Sequence, residues 1–230
     1  MITPYVKQMP YVVIVIQARM GSSRLPGKVL MDLNGEPMLG QIIKRVKRIR
    51  FKHAIVVASP DQEILDVAKR YKVWGFKGDE EDVLGRYLDA STWTGADIVV
   101  RITADCPLID PQVADQVIAG LENYDFSSNV FVRSWPKGLD TEVMWRKTLK
   151  KIAERANQPR HVEHVTLYVY ENPGEFNWNS VTQLPSDYSY MNWCVDTQED
   201  LDRVRVIYKA MGKEMWTYPE ILDYMGVHGG

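Results

Sequence analysis

Residues 17 to 28 read Gln17-Ala18-Arg19-Met20-Gly21-Ser22-Ser23-Arg24-Leu25-Pro26-Gly27-Lys28, which puts three cations within ten residues. Guanidinium groups grip phosphate oxygens bidentately, and a lysine adds a compact charge beside a reacting group. Glycines let backbone N–H groups approach the same anion. The chemistry implied is the holding of a polyphosphate, with Pro26 and Gly27 rigidifying what would otherwise be a solvated basic turn. The order of residues matches neither the P-loop nor the Rossmann glycine pattern, so those phosphate sites are set aside. Two aspartates could bring a divalent cation to such a ligand. Asp105 follows an apolar run, and Asp196 stands ahead of a helical pattern. Taken singly, Asp105 reads as a turn residue before Pro107, and Asp196 as a helix cap with Glu199 three residues on.

These residues need strands that end together. The β-branched run over residues 12–16 predicts a strand buried on both faces. Pro37 opens a helix with apolar residues at Leu39, Ile42, Ile43 and Val46, which assigns Lys44, Arg45, Lys47 and Arg48 to a solvated face. Residues 54–58 form a second strand, and Ser59-Pro60-Asp61-Gln62 predicts a capping box with proline at the first helical position of a helix reaching Tyr71. A strand over 73–76, a helix over 81–94, a buried strand over 97–102 and a helix from Asp110-Pro111 continue the alternation. This is the pattern of an α/β fold with a doubly wound, mostly parallel sheet, whose ligands bind beyond the carboxyl ends of the strands.

The pattern loosens after Tyr124. Strands are expected over 126–132 and 139–144, around the turn Trp135-Pro136-Lys137-Gly138, and again over 178–181 and 191–195. Helices are expected over 146–156, 161–171, 196–210 and 219–224.

The segment Ala18-Arg19-x-x-Ser22-x-Arg24-x-Pro26-x-Lys28 resembles the signature of the sugar cytidylyltransferases, the family of acylneuraminate and CMP-KDO synthetases. The longer form, from Ile16 to Leu30, is most similar to the spore-coat polysaccharide (SpsF) branch. Asp82-Val83-Leu84-Gly85-Arg86-Tyr87, the run from Arg101 to Asp110, Pro136 to Glu142, Glu163-His164-Val165-Thr166 and Val195-Asp196-Thr197-x-Glu199-Asp200 match that branch in order.

The resemblance implies a fold of nucleotide-diphospho-sugar transferase type in a single domain over 1–230. It has a nucleotide-binding half (about 12–125), an inserted acceptor and dimerisation half (about 126–195), and C-terminal helices (196–230). It implies transfer of CMP from CTP to a sugar-like acceptor with release of pyrophosphate, for surface polysaccharide or glycan synthesis. Ala18, Arg19, Gly21, Ser22, Arg24, Lys28 and Arg86 would bind the nucleotide, with Arg19, Lys28 and Asp105 catalytic. Asp105 and Asp196 would meet at Mg2+. Lys137, Gly138, Glu142, Glu163 and His164 would bind the acceptor, and the protein would be a homodimer. Val162 stands where the branch usually carries an arginine, so any acceptor contact made by that arginine is missing here. Arg101, a charge in an apolar strand, must be paired with a carboxylate or directed at the ligand. Trp135 and Trp193, nearest the matched motifs, are candidates for the border of the acceptor pocket.

Two other readings share these residues. A glycosyltransferase of related fold would use a metal-binding Asp-x-Asp, which Asp105-Cys106-Pro107 does not supply. A nucleotide-binding module without turnover would have no need of both the cations and the aspartates.

The 230 residues carry a formal charge of -2, which argues against a nucleic-acid partner. No apolar run is long enough to span a membrane, and residues 1–10 lack the layout of a signal peptide, so a cytoplasmic protein is expected. Cys106 and Cys194 have no metal-type spacing and read as two buried or half-buried thiols in a reducing compartment.

Overall fold

A computed structural model describes residues 9–183, 185–212 and 215–227. Seven strands form one sheet: β1 (Val12–Gln17), β2 (Ala54–Ser59), β3 (Trp74–Lys77), β4 (Ile98–Thr103), β5 (Phe126–Ser128), β6 (Glu142–Trp145) and β7 (Trp178–Ser180). Their order is β3-β2-β1-β4-β6-β5-β7. The first four are parallel, β6 runs antiparallel to both β4 and β5, and β7 is parallel to β5.

Strand β1 lies between β2 and β4, so both of its edges are paired, and helices cover both of its faces. Val12, Ile14 and Ile16 enter one core while Val13 and Val15 enter the other. Helices α1 (Met38–Val46), α2 (Gln62–Arg70) and α4 (Pro111–Ala119) pack the first face. The C-terminal helices α8 (Gln198–Met211) and α9 (Tyr218–Tyr224) join them there. Helices α3 (Val83–Thr94), α5 (Arg146–Arg155) and α7 (Leu167–Glu171) pack the second, with α6 (Pro159–Glu163) beside α3. The expected layering is present.

Several local expectations are corrected. The strand expected over 191–195 is an irregular segment with one isolated bridge, Lys137 to Asn192. The strand expected over 126–132 stops at Ser128, where the Ser128 hydroxyl accepts the N–H groups of Val130 and Phe131 and turns the chain. The helix expected over 161–171 is two short helices broken at Val165, whose φ is +44°. A β-branched residue is strained there, but the side chain is fully buried in the second core. Arg45 is 1% exposed and not on a solvated face. It donates to the Ile109 and Trp216 carbonyls, and its guanidinium lies 4.7 Å from the Trp216 ring centre.

Candidate active site

The loop after β1 is tied down along its length. The Ala18 N–H donates to the Ala58 carbonyl, and the Met20 carbonyl accepts from Ser22 and Gly27. Gly27 adopts φ +70°, a left-handed conformation that suits glycine, and leads into a 3-10 turn over Lys28–Leu30. Asp61, expected inside a capping box, makes no side-chain cap; α2 begins at Gln62 and the Asp61 carboxylate instead accepts the Met20 N–H at 2.7 Å. The loop is thereby anchored to β2 and to the start of α2.

Its cations converge on the carboxylates of distant segments. Lys28 Nζ lies 3.0 Å from Asp196 Oδ1, and Arg24 lies 3.1 Å from Asp196 Oδ2. Arg19 reaches Glu163 at 3.2 Å. Burial pushes the Asp196 carboxyl upward, but the hydrogen bond and charge of Lys28, with Arg24 and Lys137 behind it, hold it below its ordinary value. Asp196 does not cap α8. That work belongs to Thr197 and Asp200, which form a reciprocal capping box one residue on.

Asp105 is half-buried at the end of β4. Its Oδ1 accepts from the Thr103 hydroxyl and lies 3.3 Å from Cys106 Sγ. The Asp105 carbonyl accepts the Val195 N–H at 2.8 Å, which brings the segments bearing the two aspartates together. Both aspartates line one cavity of about 350 Å³ at the carboxyl ends of β1 and β4. Ala18, Arg19, Ser22, Arg24, Lys28, Arg86, Glu163 and His164 line it too.

Four expected site residues lie off that lining. Gly21 is exposed on the loop. Gly138, at φ +111°, is pressed so close to Trp193 that a Cβ would meet its backbone carbon at 2.8 Å. Lys137 is exposed beside it, near enough to add to the field on Asp196. Glu142 is 3% exposed and forms an ion pair with Arg101, its register partner across β4 and β6. Tyr170 donates to the same carboxylate, and Glu142 lifts the Arg101 pKa in spite of burial. The strand cation is thus paired with a carboxylate while also lining the cavity. Trp135 and Trp193 are buried in the first core and do not border the cavity.

The family profile described as "Cytidylyltransferase" matches residues 13–216. The chain belongs to the cytidylyltransferase family. The spore coat polysaccharide biosynthesis protein SpsF of Bacillus subtilis is 29% identical over 214 residues, covering 88% of each chain. The structure of a cytidylyltransferase from Leptospira borgpetersenii matches with a TM-score of 0.90 and 32% identity, over 95% of this chain and 94% of that one. The CMP:2-keto-3-deoxy-manno-octonic acid synthetase complexed with CTP matches with a TM-score of 0.67 over 88% and 100% of the chains, a likeness of fold at 20% identity. Among the described residues no helix is long and apolar enough to cross a membrane.

Within this cytidylyltransferase fold, sequence reasoning left three contributors without a role. Gln17 and Thr103 are register partners at the ends of β1 and β4, and both line the cavity. Their signal was position alone, the last residue of each buried strand. Asp61 stood inside the expected Ser59–Gln62 capping box and carried no signal of its own. Arg86, expected at the nucleotide, is 1% exposed; it donates to the Asp79 carbonyl, and its Nε is buried without a partner. Burial lowers its pKa and the nearby Arg19 charge lowers it further, a cost that an anion in the cavity would relieve.

Proposed function

We propose that this family member transfers CMP from CTP to a sugar-like acceptor and releases pyrophosphate. The observation that carries this reading is the convergence of Arg19, Arg24, Lys28, Asp105 and Asp196 on one cavity. Three cations gathered at one cavity suit a triphosphate. Each is held by a carboxylate, so an entering polyphosphate exchanges one anionic partner for another and leaves no cation newly buried and bare.

Asp105 and Asp196 are the residues that would hold Mg2+, which supplies charge neutralisation at the phosphates. The donor set fits that ion. Both carboxylates line one cavity, and Mg2+ favours one or two carboxylates completed by water and phosphate oxygens.

Lys28 stabilises charge on the reacting phosphate, Arg19 and Arg24 hold the outer phosphates, and Arg86 adds a buried cation beneath the nucleotide. An acceptor hydroxyl then attacks the α-phosphorus in line, with no protein nucleophile. Glu163 and His164, exposed at the break between α6 and α7, would meet the acceptor, with Lys137 and Gly138 shaping the nearby turn. Homodimerisation through the second half and a cytoplasmic location complete the proposal; light scattering tests the former. The decisive experiment is pyrophosphate release with each nucleoside triphosphate in turn, Mg2+ and an acceptor panel that includes 3-deoxy-manno-octulosonate. Release with CTP supports the reading, and formation of a nucleoside diphosphate from a nucleotide sugar would replace it with a glycosyltransferase.

A further inference from the structure

The chain has two cysteines, 88 residues apart in sequence, and the fold brings their sulfurs to 3.6 Å. Their neighbours make the contact consequential. Cys106 directly follows Asp105, and Cys194 is separated from Asp196 only by Val195. The backbones are already laced there by the Val195 N–H to Asp105 carbonyl bond, and Cys106 Sγ lies 3.3 Å from Asp105 Oδ1. Both thiols are buried, which keeps out bulky reagents. The Cys194 thiol and burial push the Cys106 thiol up, and neither sulfur lines the cavity; Asp105 does line it, so a small polar oxidant that enters there is one residue away from Cys106. Neither thiol has a part in the proposed transfer.

We propose that Cys106 and Cys194 form a redox modification site, at which a small peroxide closes a disulfide that fixes the Asp105 and Asp196 segments in a spacing unfit for turnover. In the first step a Cys106 sulfur–oxygen bond forms as the peroxide O–O bond breaks, and the departing hydroxide takes the thiol proton as water. In the second, the Cys194 sulfur attacks that sulfenic acid, the S–S bond forms, the S–O bond breaks, and a second water leaves with the second thiol proton. Two thiols are oxidised by two electrons and one peroxide is reduced to two waters. A disulfide requires sulfurs about 2.05 Å apart, so the two sulfurs must approach by about 1.5 Å, a movement shared between side-chain rotation and displacement of the segments that carry them. A misplacement of about 1 Å at a reacting centre costs on the order of a hundredfold in rate.

The bond itself is independent of the nucleotidyl-transfer reading; its effect on turnover rests on that reading. The full chain is treated with hydrogen peroxide and followed by intact mass, thiol alkylation after denaturation, peptide mapping and thermal unfolding, alongside pyrophosphate release from CTP. The expected product is lighter by two hydrogens, resists alkylation at both cysteines, maps to a Cys106–Cys194 cross-link and melts at a higher temperature, because the bridge restricts the unfolded chain. Its turnover falls about a hundredfold and returns with dithiothreitol. Cys194→Ser keeps its turnover after brief peroxide treatment. Thiols that remain alkylatable, a gain of oxygen without a cross-link, or a cross-link with turnover unchanged would each overturn the proposal. If neither redox form releases pyrophosphate from any nucleotide, the transfer reading and the switch fail together, while mass and alkylation still decide the bond.

Discussion

Lys28 Nζ sits 2.6 Å from the Val195 carbonyl and 3.0 Å from Asp196 Oδ1, closing a contact between segments 168 residues apart. One lysine therefore joins the loop after β1 to the entry of α8. Lys28→Met removes the charge and keeps the stem. Pyrophosphate release from CTP is expected to fall about 10²–10³-fold, the usual cost of one preorganised electrostatic contact. Circular dichroism should show the fold retained, since Arg24 still holds Asp196. Wild-type turnover in this variant would remove Lys28 from the reacting centre.

Asp61→Ala tests the anchor of the same loop. The variant loses the acceptor for the Met20 N–H, a charge-assisted bond worth about 1.5–3 kcal/mol. The loop cations then sample more positions before they meet a triphosphate. A rise of roughly tenfold in KM for CTP is expected, with kcat within about twofold of wild type, as for lost uniform binding. Steady-state kinetics at saturating acceptor separate the two parameters, and an unchanged KM would show the loop is rigid without Asp61.

What the sequence disclosed follows from how local each signal is. The buried run of β1, the cations of its loop and Asp110 at the start of α4 are fixed by neighbours in sequence, and Asp110 does accept the N–H of Gln112 at 2.7 Å. The pairing of Arg101 with Glu142 is set by antiparallel register between β4 and β6, which no local pattern encodes. Arg45 looked like part of a basic face because helical spacing says nothing of Ile109 and Trp216, the distant carbonyls it meets. The break at Val165 comes from tertiary burial overriding a helical pattern.

Glu142 bears most directly on the acceptor assignment, because its carboxylate is occupied by Arg101 and Tyr170. Glu142→Ala leaves a buried guanidinium unpaired and is expected to destabilise the protein by roughly 3–5 kcal/mol. Arg101→Met combined with Glu142→Leu should recover most of that loss, since a buried pair replaced by apolar side chains is often neutral. Urea unfolding of the single and double variants checks both statements. Destabilisation below about 1 kcal/mol in Glu142→Ala would return this residue to the acceptor.

The capping box at α8 makes stability depend on pH. Burial of Asp200 works against its charge, but the backbone N–H groups of Asp196 and Thr197, the Arg203 guanidinium and the Thr197 hydroxyl outweigh it and bring its pKa from 3.8 to about 2. A carboxyl lowered on folding contributes stability that is fully present above its unfolded value and is lost as pH falls through the folded one. The window is therefore from about pH 4 down to about pH 2, with the cap intact at neutral pH. Asp200→Asn removes the charge at every pH and is expected to cost about 1–2 kcal/mol at pH 7. Its urea midpoint should fall less steeply than that of wild type between pH 4 and pH 2, so the two curves converge. Parallel curves across that range would show that the Asp200 charge contributes nothing to holding α8, and with it the backbone of Asp196, in place.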